Sequence, residues 1–191
     1  MKTKLLSLVA MAAMTASVLP AVAQHLTGAG GTFPNPIYQR WFTEYSKAHP
    51  GVQINYQSIG SGGGIRQVTS ALVDFGASDM PMTDDQLSKV TKFKVLHFPT
   101  VLGGIVPTYN VPGAADLKFS GATLAGIYLG TIKKWNDAAL AKDNPGAKLP
   151  NEDITVVHRS DGSGTSFVFS DYLSKVSPEW KSKVGANTSV N

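Results

Sequence analysis

The chain has 191 residues, no cysteine, and 17 basic against 13 acidic residues, for a formal net charge of +4. A balance this mild and scattered excludes a surface built for nucleic acid. Without cysteine there is no disulfide scaffold, so a hydrophobic core has to hold the fold together.

At the start, Lys2 and Lys4 precede an apolar run from Leu5 to Leu19, and Ala21-Val22-Ala23 supplies small residues before Gln24. The pattern predicts a secretory signal peptide over residues 1–23, cleaved after Ala23; it is too short and wrongly flanked for a membrane anchor. Loss of Lys2 and Lys4 with the leader leaves 15 basic and 13 acidic residues, a net charge of +2 on 168 residues. That length is ample for one domain, or for one domain and part of another. The expected class is a soluble, exported α/β protein, periplasmic in the simplest case.

Leu26 to Pro36 reads as a Gly-rich loop that ends in Thr32-Phe33 and opens a helix carrying Ile37, Tyr38, Trp41, Phe42 and Tyr45 at helical spacing. Val52 to Gln57 alternates as a strand does, and Gly60-Ser61-Gly62-Gly63-Gly64 leads into a second helix through Ile65, Val68 and Leu72. Phe75 to Ala77 predicts a short buried strand with Asp79 at its end. There Asp79 either turns the chain or caps the next helix, near Asp84, or it faces a ligand.

Val95 to Pro107 is apolar and β-branched, and suits either a crossing segment or a plain buried strand; His97 within it is expected as a satisfied core side chain. Ser120 starts a helix that turns Leu124, Ile127 and Tyr128 inward, and Trp135 is expected to pack nearby. Asp137 caps a helix over Ala138 to Lys142, which Asn144-Pro145-Gly146 stops. Lys133-Lys134 is either a docking point or a solvated face. Ile154 to Val157 predicts a strand that runs into the loop His158 to Thr165; a helix follows over Ser166 to Leu173, and another near Pro178 to Val184.

The loop after Val157 organises the rest. The first N–H groups of a helix lack internal partners and carry partial positive charge. Gly162 and Gly164 let the backbone approach a ligand, Ser163 and Thr165 add hydroxyls, and Arg159 adds a fork of donors matched to paired oxygens. The same residues also make a good turn followed by an N-cap. Three strand–Gly/Ser/Thr–helix junctions in one short chain favour the ligand reading, because such junctions gather at the carboxyl edge of an open α/β sheet. An acidic Asp79 at that edge fits an anion that carries a proton. Phosphate has an O–H to donate to a carboxylate near neutral pH, whereas sulfate has none.

Four stretches, Gly28 to Pro34, Gly60 to Gly64, Phe75 to Asp79 and Arg159 to Phe167, closely resemble the periplasmic phosphate-binding proteins of Pst ABC transporters; Ile127 to Trp135 is similar too. The resemblance implies a periplasmic-binding-protein-like (type II) α/β fold with two lobes that close like a hinge over the ion. It divides the chain into the leader (1–23), a first lobe (24–98), a crossover (99–107) and an incomplete second lobe (108–191). Members continue well over a hundred residues past the equivalent of Asn191, so it also implies an N-terminal portion that lacks the C-terminal part.

By the same resemblance the phosphate ligands are Thr32, the Phe33 N–H, Ser61, Asp79, Arg159, Ser163, the Gly164 N–H and Thr165, with Asp161 holding the Arg159 guanidinium and His158 peripheral. The implied function is capture of inorganic phosphate (HPO4/H2PO4) and its delivery to ABC permease subunits in the inner membrane. No catalysis, metal or cofactor is expected. The rival is a secreted serine hydrolase using Ser163 at a strand–turn–helix junction, but Gly162 directly precedes Ser163 and breaks the G-x-S-x-G spacing. No Gly-Lys-Ser/Thr follows any glycine cluster, and no H-E-x-x-H is present, so P-loop and zincin chemistry are excluded.

Overall fold

The computed structural model describes residues 24–190; the expected signal peptide and its expected cleavage point lie outside them. Three parallel strands form the sheet, β1 (Gln24–Gly30), β2 (Val52–Ser58) and β3 (Phe75–Ala77), in the order β2-β1-β3. Register pairs Gly28 of β1 with Tyr56 and with Phe75, and Gly30 with Ser58 and with Ala77. Parallel strands need crossovers, and two helices supply them. Helix α1 (Asn35–Ala48) connects β1 to β2, and α2 (Ser61–Thr69) connects β2 to β3.

β1 corrects the expectation of a simple Gly-rich loop over Leu26 to Pro36. Glycine usually weakens a strand, but here close packing requires it. A Cβ on Gly28 would lie 2.2 Å from the Phe75 ring, and one on Gly30, at φ +142°, would lie 2.0 Å from the Ala77 carbonyl oxygen. The centre of the sheet is therefore a glycine strand flanked by larger neighbours.

The two helices cover opposite faces. On one, Tyr38 and Phe42 of α1 pack on Tyr56 and Phe75, with ring centroids 5.4 to 6.5 Å apart. On the other, Val68 of α2 lies over Gly76, and Gly64 touches β1 directly: a Cβ there would meet the Gly30 Cα at 2.6 Å and the Ala29 oxygen at 2.7 Å. Phe75 and Gly76 thus face opposite helices, as alternation along a strand dictates. Gly64→Ala is expected to destabilise the fold by about 1–3 kcal/mol through overpacking, read as a lowered urea midpoint. An unchanged midpoint would mean α2 is not seated this closely.

Helix α2 ends at Thr69, so Leu72 lies beyond it and is 71% exposed, contrary to its expected place on the buried face. β3 is half-buried, and among the described residues no strand pairs its outer edge. Helix α3 (Asp84–Ser88) starts at a Thr83 capping box with Gln86, which leaves Asp79 free of capping duty there.

Val95 to Pro107 forms neither a strand nor a buried core segment. No neighbouring strand offers it a ladder, and Phe98, Leu102 and Val106 are exposed, Leu102 at 99%. His97 is likewise on the surface, where its Nε2 accepts from the Met82 N–H at 3.3 Å. The segment touches the sheet layer at two points. The Tyr38 and Thr100 hydroxyls are 2.7 Å apart, and the Phe33 ring lies against Gly103.

In the rest of the described chain the regular elements are helices, joined by irregular segments. Helix α4 (Gly121–Tyr128) is capped by Ser120, α5 (Ala138–Asp143) by Asp137, α6 (Gly164–Val176) by Ser163 and α7 (Pro178–Lys183) by Ser177. Each cap side chain accepts a hydrogen bond from the N–H two or three residues on. Leu124, Ala125, Leu173 and Trp180 form the common core of α4, α6 and α7. Trp135 is half-buried beside Tyr109, which in turn packs on Phe119.

Asn144, buried, stops α5 and holds Lys118 by accepting from its N–H at 2.6 Å and donating to its oxygen at 2.8 Å. The expected strand over Ile154 to Val157 is absent. The start of this stretch is tied down by the single bridge Lys134 to Asp153, with the Trp135 N–H on the Glu152 oxygen and the Ile154 N–H on the Lys133 oxygen, and β-branched residues without a partner strand stay irregular.

Candidate functional site

Three strands end side by side at one edge of the sheet, and each hands the chain to a residue singled out from the sequence. After β1 come Gly31, Thr32 and Phe33; after β2, Gly60 and Ser61; after β3, Asp79. β1 sits between its two successors, so this edge is the switch point of the topology.

The glycines hold the residues close. The Gly31 N–H donates to the Ala77 oxygen at 2.8 Å, and a Cβ on Gly31 would lie 3.2 Å from Asp79 Oδ1 and 3.5 Å from Ser61 Oγ. Gly60, at φ +79°, turns the chain so that Ser61 opens α2, and buried Ser61 Oγ accepts from the Asp79 N–H at 3.2 Å. Thr32 and Phe33 precede α1 by a turn, because the helix begins only at Asn35 with Pro34 as its cap.

The loop Arg159 to Thr165 comes against this edge from the helical part. The Gly62 N–H donates to the Gly162 oxygen at 2.8 Å, and a Cβ on Gly60 would fall 2.5 Å from Asp161 Oδ2. Arg159 Nη1 donates to Thr32 Oγ1 at 3.1 Å, and Nε donates to Asp161 Oδ1 at 2.7 Å while Nη2 pairs with Asp161 Oδ2. Thr165 Oγ1 donates to Asp79 Oδ2 at 3.2 Å. Gly164 is packed so tightly that a Cβ on it would lie 2.3 Å from Ser61 Oγ and 2.7 Å from Asp79 Cβ.

Thr32, Ser61, Asp79, Arg159, Asp161, Gly164 and Thr165 therefore meet at one place. Ser163, directly before Gly164 in the chain, is fully buried. Its Oγ accepts from the Ser166 N–H, which leaves its own proton for another acceptor. The Phe33, Gly164 and Thr165 N–H groups have no protein partner among the described residues. His158, which is exposed, hydrogen-bonds the Arg159 oxygen through Nδ1, outside this group.

Two electrostatic features follow. The N-termini of α2 and α6 converge, which brings two positive dipole ends together beside the Arg159 guanidinium. Asp161 is held below the usual carboxylate range by its hydrogen bonds from Arg159 and by that residue's charge. Since its folded value lies below its unfolded one, the pair adds stability above the ordinary carboxylate range. That stability is lost as pH falls through the folded value. Thermal midpoints followed from neutral pH into acid should fall more steeply for the natural chain than for Asp161→Asn; coincident acid limbs would refute the pairing.

The arrangement does not suit a serine nucleophile. Ser163 Oγ caps α6, and no histidine nitrogen hydrogen-bonds it among the described residues to serve as its base. No cluster of three metal-ligating side chains occurs among the described residues either.

A parallel α/β sheet with its Gly/Ser/Thr junctions gathered at the carboxyl edge defines the class, that of α/β binding domains. The chain belongs to the PBP superfamily, whose domain profile matches residues 15–190. It is 54% identical over 174 residues to the phosphate-binding protein PstS of Pasteurella multocida, a match covering 90% of this chain and 49% of that protein. To PstS of Haemophilus influenzae it is 52% identical over 180 residues, covering 93% of this chain and 53% of the relative. The chain thus spans about half the length of the curated relatives it matches.

In fold it is similar to a crystal structure of a putative phosphate ABC transporter substrate-binding protein with bound phosphate from Clostridium perfringens. That likeness has a TM-score of 0.60 at 19% identity, covering 82% of this chain and 58% of that one.

Proposed function

We propose that the chain binds inorganic phosphate, as HPO4 or H2PO4, through Thr32, the Phe33 N–H, Ser61, Asp79, Arg159, Ser163, the Gly164 N–H and Thr165. As part of a periplasmic solute-binding protein it would hand the ion to the permease subunits of an ABC importer, with no chemistry on the ion itself. Residues 24–98 and 108–191 serve as the two lobes in this reading, joined by 99–107. The observation that carries it is the convergence of two helix N-termini and a guanidinium on a point that also bears a carboxylate.

Donors alone would suit any small oxyanion. The carboxylate of Asp79 selects one with a proton to give, which phosphate has and sulfate lacks. The relatives named above as phosphate-binding proteins support the same ligand. Among the described residues no helix is long and apolar enough to cross a membrane, so the proposed permease contact is that of a carrier docking on a membrane partner. Lys133 is an exposed candidate for that contact, whereas Lys134 is paired with Asp153 at 3.1 Å.

Calorimetric titration of the chain with phosphate and, separately, with sulfate tests the reading. Binding heat for phosphate and none for sulfate is expected. A chain that is folded by circular dichroism yet gives no phosphate heat would overturn it.

A further inference from the structure

Gly31 is held from both sides. Its N–H donates to the Ala77 oxygen at 2.8 Å, and its C=O accepts from Tyr56 Oη at 2.7 Å. One residue earlier, the Gly30 oxygen accepts from the Ile59 N–H at 3.0 Å. Two of these three bonds are backbone pairings that follow from the sheet edge. The third comes from a side chain that nothing in the sheet requires to be a tyrosine, since phenylalanine would fill the same space.

The Tyr56 ring is fixed independently of its hydroxyl. It stacks on Phe75 at 6.2 Å and 18°, and meets Tyr38 edge-on at 5.4 Å and 85°. Those contacts set where Oη can reach. Burial, with Tyr38 and Asp79 nearby, pushes the phenol up from its ordinary range, so Oη keeps its proton and stays a donor.

A peptide unit is planar, so fixing the Gly31 carbonyl also fixes the Thr32 N–H on its other side and the direction in which the chain leaves. The next two residues carry Thr32 Oγ1, which accepts from Arg159, and the Phe33 N–H. We propose that Tyr56 is a positioning residue: by donating to the Gly31 oxygen it orients the Gly31–Thr32 peptide and so aims Thr32 Oγ1 and the Phe33 N–H into the anion site. The ligand part rests on the phosphate reading above; the loop part does not.

Tyr56→Phe removes one oxygen and keeps the ring stack, and two readouts separate positioning from mere support of the fold. The first needs no ligand: amide ¹H–¹⁵N resonances of Gly31, Thr32 and Phe33 in the full chain, together with their hydrogen exchange. The second is phosphate affinity by calorimetry beside the thermal midpoint. The expected result is shifted, faster-exchanging loop amides and a loss of affinity of about five- to tenfold, the scale of one neutral hydrogen bond, with little change in midpoint.

Unmoved amides with unchanged affinity would overturn the proposal. So would a loss of affinity that merely follows a fall in stability. If the natural chain binds no phosphate, the functional reading fails; the loop assignment then stands if the amides move and falls if they do not.

Discussion

Arg159→Ala is expected to weaken phosphate binding by about two to three decades, the largest loss from any single ligand. A guanidinium has five N–H groups. Three are engaged in the structure, Nε and one on Nη2 with Asp161 and one on Nη1 with Thr32. Two remain, one on each terminal nitrogen, in the fixed fork that matches two oxygens of an anion. Removing the side chain deletes those donors and the positive charge.

It also leaves the Asp161 carboxylate unpaired next to Gly60 at the edge of the site, where it would repel the incoming ion. Part of the loss should therefore return in Arg159→Ala/Asp161→Asn, because the second change removes the stranded charge. Lys133→Ala, an exposed position in the loop after α4, should change affinity less than twofold. Calorimetry on the three variants measures this. Equal effects at Arg159 and Lys133 would sink the site assignment.

The parts of the fold legible in the sequence were those with a local cause. Helix α1 announced itself through Tyr38, Trp41, Phe42 and Tyr45 at helical spacing, and Ser120 and Asp137 marked the helices they cap. Two elements that depend on distant partners, β1 and the stretch Ile154 to Val157, were read wrongly. β1 looked like a loop because its glycines are strand-breaking in isolation; they are explained only by Phe75 and Ala77 on a strand some 45 residues later. Ile154 to Val157 has the composition of a strand, but strand propensity is realised only beside another strand, and none lies next to it among the described residues; the same holds for the strand alternative at Val95 to Pro107.

The site was more legible than the sheet. Its chemistry sits in short contiguous motifs, and the residues drawn from them meet across sequence separations of 86 and 127 residues. Tyr56 was the miss. In the sequence it is one more aromatic in an alternating strand, and nothing local tells its hydroxyl's reach to Gly31 from ordinary packing.

Asp79→Asn should collapse the preference for phosphate over sulfate by on the order of three decades, chiefly by admitting sulfate. In the structure Asp79 Oδ2 accepts from Thr165, and the Asp79 N–H is anchored on Ser61, so the carboxyl is positioned before any ion arrives. In the proposed complex one carboxylate oxygen would take the phosphate O–H, so that its charge is met by a hydrogen bond that water would otherwise supply. With sulfate there is no proton to accept, so two negative oxygens would face each other.

Asparagine removes that penalty twice over, since it carries no charge and its amide can turn an NH2 toward an oxygen. Phosphate loses less than sulfate gains, because the asparagine carbonyl still accepts its O–H. Thr165→Val serves as the control: it removes a hydroxyl from the same place but leaves the Asp79 charge, so it should lower affinity for both ions and keep their ratio. Competition titrations of the two ions against each variant give that ratio directly. A ratio unchanged in Asp79→Asn would mean that discrimination comes from the geometry of the donors around Arg159, Ser163 and Gly164, and that Asp79 serves only to hold Thr165.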